Sequence, residues 1–145
     1  MPASPTTTTA VPDTLRPLIL LAEDEAALRR LLARLLALNG FDVMEAGDGA
    51  EALQLIAARK RFPDLLITDV VMPRMGGLEL AVELRLTCPL LPVLFISGYA
   101  DSVFLGSEEL RNGTFFLSKP FPPDTLINQV RQMFAAANNS RGAAS

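Results

Sequence analysis

Histidine is absent from this chain, and so is tryptophan. Without an imidazole the chain cannot build a Ser-His triad, a histidine metal site or a phosphohistidine carrier. A single cysteine, Cys88, closes no internal disulfide, which fits a reducing cytoplasm. The 13 Lys and Arg residues are outnumbered by 16 Asp and Glu and form no dense cluster, so no direct nucleic-acid binding is expected. The apolar runs are interrupted by charge too often to span a bilayer, and the N-terminus lacks the basic-then-apolar pattern of a secretory signal. No membrane insertion is expected, and the location expected is cytoplasmic.

Against these absences, half of the 145 residues are hydrophobic, enough for one domain with a full core. Residues 1–16 are rich in Thr, Pro and Ala without apolar periodicity and are expected to form a disordered leader. Residues 17–137 are expected to be the folded domain, and 138–145, small and polar, a flexible tail.

Within the domain, strand-like and helical patterns alternate. Leu18–Ala22 is a continuous apolar run, as in a strand buried on both faces. Leu28, Leu31, Leu32 and Leu35 follow at helical spacing, and Asn39-Gly40 stops that helix. A short strand over Phe41–Glu45, the turn Gly47-Asp48-Gly49 and a second helix closed by Phe62-Pro63 come next. Leu65–Asp69 reads as the third strand. A third helix over Leu78–Leu86, a fourth strand over Pro92–Ile96 and a fifth over Thr114–Leu117 complete the pattern, with a last helix opened by Pro122-Pro123-Asp124. The segment from Asp101 to Gly113 makes a poor helix, interrupted by Gly106 and ended by Asn112-Gly113. Such alternation predicts an α/β fold: a flavodoxin-like, doubly wound, five-stranded parallel sheet in the order 2-1-3-4-5, with helices on both faces.

That topology brings the carboxyl ends of the strands to one rim, where ligands bind in open parallel sheets. The rim carries Glu23 and Asp24 after strand one, Asp69 at the end of strand three, Ser97 after strand four and Lys119 after strand five. Each alone is most simply a cap, a turn residue or a solvated charge. Those readings do not explain why all five fall on the same rim. Three carboxylates against one ammonium leave a formal charge of −2, and each carboxylate pair a few ångströms apart repels by roughly 3–4 kcal/mol at an effective dielectric near 20. A hard divalent cation relieves this, and oxygen ligands with positions left to water suit Mg²⁺. The backbone carbonyl of Val71 is a further candidate ligand. Asp69 is then a candidate carboxylate nucleophile towards a phosphoryl group, with Lys119 and the cation steadying its oxygens.

Five stretches carry a resemblance: Leu20–Glu25, Ala46–Leu53, Asp64–Pro73, Ile96–Tyr99 and Leu117–Phe121. Together they resemble the response-regulator receiver domain of bacterial two-component signalling, over residues 17 to 137. The resemblance implies that Asp69 is the phosphoacceptor, Asp24 a direct Mg²⁺ ligand and Glu23 one acting through water. It implies that Ser97 follows the phosphoryl group, that Lys119 is the family's lysine, and that Phe116 is the switch aromatic. Val71 and Tyr99 occupy positions that tune acyl-phosphate hydrolysis, and Lys119-Pro120 is expected to be a cis peptide. The partners implied are a histidine kinase or phosphotransfer protein and an unknown downstream protein. The protein is expected to be a signalling phosphoacceptor rather than an enzyme with a separate substrate, and no DNA-binding output module is expected. The motif around Tyr99 also resembles receivers attached to hybrid histidine kinases, so a stand-alone receiver and one belonging to a larger kinase both remain open.

Other classes fit less well. An aspartate-nucleophile phosphatase of the haloacid-dehalogenase type needs a second acid two residues after the nucleophile, where Val71 stands. A flavin carrier on the same fold needs a phosphate-binding loop where Glu23-Asp24-Glu25 would repel the ligand. A pseudo-receiver acting only in docking would not need the full set of acids, hydroxyl and lysine.

Overall fold

Five parallel strands form one sheet in the order β2-β1-β3-β4-β5 in a computed structural model that describes residues 16–98 and 113–144. The strands are β1 (Leu18–Ala22), β2 (Asp42–Ala46), β3 (Leu65–Asp69), β4 (Val93–Ser97) and β5 (Thr114–Ser118), and the helices are α1 (Ala26–Leu38), α2 (Gly49–Arg59), α3 (Gly77–Thr87) and α4 (Pro123–Ala144). The architecture and strand order are those expected. The chain stays helical to Ala144, past the end of the apolar stripe at 137, where the sequence reading places a tail. Tyr99 and nearly all of the weakly helical 101–113 segment lie outside the described residues, as does the leader before Arg16.

Every residue of β1, β3 and β4 is buried, as the unbroken apolar runs require of strands covered on both faces. Alternation along the strands divides the core. Leu18, Leu20, Leu66 and Phe95 face α2 and α3, whereas Ile19, Leu21, Ile67 and Leu94 face α1 and α4. On the second face Phe41 stacks on Phe134 of α4, with ring centroids 5.6 Å apart. Among the described residues, no helix is long and apolar enough to cross a membrane.

Local signals fix where the helices begin. Asp48 accepts a hydrogen bond from the Glu51 N–H at 2.9 Å and caps α2. Lys60, at φ 54°, ends the same helix in the left-handed region. Gly77 opens α3 against the end of β3: its N–H donates to the Val70 carbonyl at 2.9 Å, and a Cβ at this position would lie 1.9 Å from the Asp69 carbonyl oxygen. Only glycine lets the helix start so close to the strand it follows.

Candidate functional site

The carboxyl ends of β1, β3, β4 and β5 converge at one rim, and the pairings set how they converge. Asp69 is registered with Ile96, and Ser97 with Ser118, one residue before Lys119. The Lys119 N–H donates to the Ser97 carbonyl at 3.0 Å, so the backbone carrying the lysine is tied to the backbone carrying the hydroxyl. The Lys119–Pro120 peptide is cis, as expected.

Asp69 is buried, and the Lys119 ammonium lies 2.8 Å from its Oδ1 and 3.1 Å from Oε1 of Glu23. Glu23 is only 1% exposed, and the chain uses both of its carboxylate oxygens. Oε2 accepts from the Glu25 N–H at 2.9 Å, while Oε1 faces the lysine. The Glu23 backbone carbonyl in turn accepts from the Arg29 guanidinium at 2.8 Å. Asp24, next to it, is exposed to solvent. Carboxylate oxygens of Glu23, Asp24 and Asp69 lie within 4.8 Å of one another. This all-oxygen set, open to water on the Asp24 side, fits a hard divalent cation such as Mg²⁺. Glu23 is already engaged by protein donors, whereas no hydrogen bond to the Asp24 side chain is found among the described residues.

Ser97 is buried at the end of β4, beside the Asp69 strand. Val71 is 60% exposed just past Asp69. Phe116 is registered with Phe95 and stacks on it, with centroids 5.7 Å apart, while its outer side is partly open to solvent. Asp69, Glu23, Asp24 and Lys119 thus lie together at the rim, and Ser97 ends the neighbouring strand, its carbonyl bound by the Lys119 N–H.

Electrostatics separates the two buried acids. Burial, aided by a hydrogen bond and charge repulsion from Glu23, pushes the Asp69 carboxyl up to about 8, and the pull of Lys119 only partly offsets this. Burial alone would also raise Glu23, but hydrogen bonds from Asp69, the Glu25 N–H and Lys119 outweigh it and hold Glu23 below the usual range. The two neighbouring carboxyls are thereby driven apart, Asp69 towards its neutral form and Glu23 towards its charged form. The formal count of −2 takes every carboxylate as ionised, and two adjacent buried carboxylates cannot both ionise cheaply, which favours a proton on Asp69. Unfolding releases this proton near the ordinary carboxylate value of 3.8, whereas the folded protein holds it to about 8. Metal-free stability should consequently fall as pH rises through that window, with a slope of at most about 1.4 kcal/mol per pH unit for one proton. Thermal melts in chelator at stepped pH should show the decline, and Asp69→Asn should flatten it. An unchanged slope in that variant would place the proton elsewhere.

Two charged residues at the rim escaped the sequence reading. Arg74, after the Met72-Pro73 turn, donates from Nε to Oδ2 of Asp48 at 2.8 Å and also contacts that oxygen through its terminal nitrogen. The Asp48–Glu51 spacing is a helix-capping signature that could have singled out Asp48. Nothing local in the sequence announces its pairing with Arg74, 26 residues away.

The response regulator receiver domain model matches residues 19–131. The chain is 39% identical over 115 residues to the sensor kinase CckA of Brucella abortus, covering 79% of this chain and 12% of that one. It is 40% identical over 116 residues to the response regulator MprA of Mycobacterium leprae, covering 79% of this chain and 50% of that one. The crystal structure of the receiver domain from the hybrid histidine kinase CckA superposes with a TM-score of 0.67 at 38% identity, covering 80% of this chain and 97% of that one. The chain thus spans between about an eighth and a half of these two curated relatives, but almost the whole of that isolated receiver. With a family match over most of its length, the expected fold and the acidic rim facing a lysine, the chain belongs to the response regulator receiver domain family of two-component signalling.

Proposed function

We propose that Asp69 accepts a phosphoryl group from a histidine kinase or phosphotransfer protein and that the domain signals through the surface change that follows. The observation that carries this reading is the buried Asp69 carboxylate held 2.8 Å from the Lys119 ammonium, beside two further acids. In its ionised form, its proton released to solvent, Asp69 attacks the phosphorus of the donor through a carboxylate oxygen, the bond from phosphorus to the donor atom breaks, and an acyl phosphate forms on the protein. Lys119, already against Oδ1, stays within reach of the new phosphoryl oxygens. Asp24 and Asp69, with the Val71 carbonyl and with Glu23 through water, would hold Mg²⁺, which would supply the charge neutralisation on which phosphoryl transfer depends. Ser97 moves towards the new oxygens as a donor, and Phe116, on the adjoining edge strand β5, turns in response. Val71 and Tyr99 tune how long the acyl phosphate lasts. A downstream protein reads the altered face.

The test is incubation with a small phosphodonor and Mg²⁺, followed by a search for acid-labile phosphate located on Asp69 by mass spectrometry. Phosphate on another residue, or none, would refute the reading. A companion prediction concerns Asp24. Asp24→Ala should abolish the dependence of phosphorylation on Mg²⁺ while leaving metal-free melting unchanged or slightly higher, because it removes one of the mutually repelling carboxylates. A clearly lower metal-free melting temperature would make Asp24 a structural residue instead.

A further inference from the structure

The geometry points to the Arg74–Asp48 pair as a clamp that positions the loop after Asp69, and with it the Val71 carbonyl, for cation binding. The inference rests on the reading of the site given under Proposed function.

Residues 70–76 connect Asp69 to α3. Their two ends are fixed through backbone groups: the Gly77 N–H donates to the Val70 carbonyl at 2.9 Å, and the Gly49 N–H donates to the Met75 carbonyl at 3.0 Å. Between these ends the chain makes a tight turn around Arg74, with the Met75 N–H donating to the Pro73 carbonyl at 2.7 Å. Arg74 sits at φ 65°, a conformation that residues other than glycine adopt only when their surroundings hold them there. What holds it is Asp48. The guanidinium donates from two nitrogens to Oδ2 of Asp48, while Oδ1 of the same carboxylate caps α2. Asp48 is buried, although the arginine side chain is largely exposed. One carboxylate therefore joins the start of α2 to the loop that follows the phosphoacceptor. The packing is close, since a Cβ on Gly49 would lie 2.6 Å from Met75 Cγ.

Val71, by contrast, is exposed and lies between the anchored ends without a side-chain anchor of its own. The position of its carbonyl depends on the turn that Arg74 closes. Releasing that turn lets the loop sample other shapes, and a ligand that must be found rather than met in place binds its ion less tightly. Arg74 and Asp48 are positioning residues in this scheme, since neither reaches the ion or the phosphoryl group.

The experiment titrates Mg²⁺ into the full chain by calorimetry and follows metal-free amide exchange. Arg74→Ala removes the clamp. Asp48→Ser removes its charge but keeps an oxygen able to cap α2. Each should weaken Mg²⁺ binding roughly tenfold, the size usual for groups that orient ligands without touching the ion. The double variant should be no weaker than the worse single one, because both changes break one contact. Arg74→Lys, with one point of contact instead of a planar fork, should recover part of the loss. The Gly77 amide, which donates to Val70, should exchange faster in Arg74→Ala than in wild type, while global melting stays close to wild type. Equal Mg²⁺ affinity in wild type and Arg74→Ala, or fully additive losses in the double variant, would overturn the clamp alone. A wild type that binds no Mg²⁺, or binds it equally well as Asp24→Ala, would overturn the reading of the site and the clamp with it.

Discussion

Mg²⁺ with beryllofluoride, a phosphoryl mimic, should raise the melting temperature of the wild type by roughly 5–10 °C and leave Asp69→Ala unmoved. A ligand that binds only the folded state at about 100 times its dissociation constant adds about 2.7 kcal/mol of stability. In a domain of this size each kilocalorie is worth roughly 2–4 °C. The whole effect runs through one carboxylate, because the proposed acceptor is Asp69, which faces Lys119 beside Glu23 and Asp24. The same substitution should abolish incorporation of acid-labile phosphate. Differential scanning fluorimetry on the two proteins, with Mg²⁺ alone as a control, separates the mimic from the cation. An equal shift in Asp69→Ala would locate the binding elsewhere and remove the basis of the proposed function.

Gly77→Ala should destabilise the fold by about 3 kcal/mol or more, beyond the usual range for an overpacked methyl. Alanine is normally the better helix residue by about 1 kcal/mol, so the expected sign runs against helix propensity. The reason is contact. The added Cβ would lie 1.9 Å from the Asp69 carbonyl oxygen and 2.9 Å from the Thr68 side chain, and both belong to a buried strand that has nowhere to retreat. The helix would have to lift from the end of β3, disturbing the Gly77–Val70 hydrogen bond and the backbone of Asp69 itself. Urea unfolding measures the loss, and Mg²⁺ titration should show weaker binding in the same variant. A Gly77→Ala protein as stable as wild type would mean that the approach of α3 to β3 is looser than the structure has it.

How much of this was legible in advance varies from residue to residue. Leu18–Ala22 and Leu65–Asp69 announced themselves because strands covered on both faces need apolar runs, the first leading straight into Glu23 and the second ending on Asp69. Once the alternation implied a parallel sheet in the order 2-1-3-4-5, the gathering of Glu23, Asp24, Asp69, Ser97 and Lys119 followed, because every parallel strand points its carboxyl end the same way. The protonation of the site was not legible. Ionisation depends on burial and on distances between groups far apart in the chain, and these push the Asp69 carboxyl up and hold Glu23 down. Nor was the Arg74–Asp48 contact, since a surface arginine after a turn looks the same whether or not a carboxylate 26 residues away faces it. By itself, then, the order of apolar runs and turns determined the fold and the list of residues at the rim, because patterning with periods of two and 3.6 is local information. Only the tertiary structure decided which acid burial pushes towards its neutral form, which residues the lysine meets and what anchors the loop beyond Asp69, because those outcomes depend on distances in space that sequence spacing does not encode.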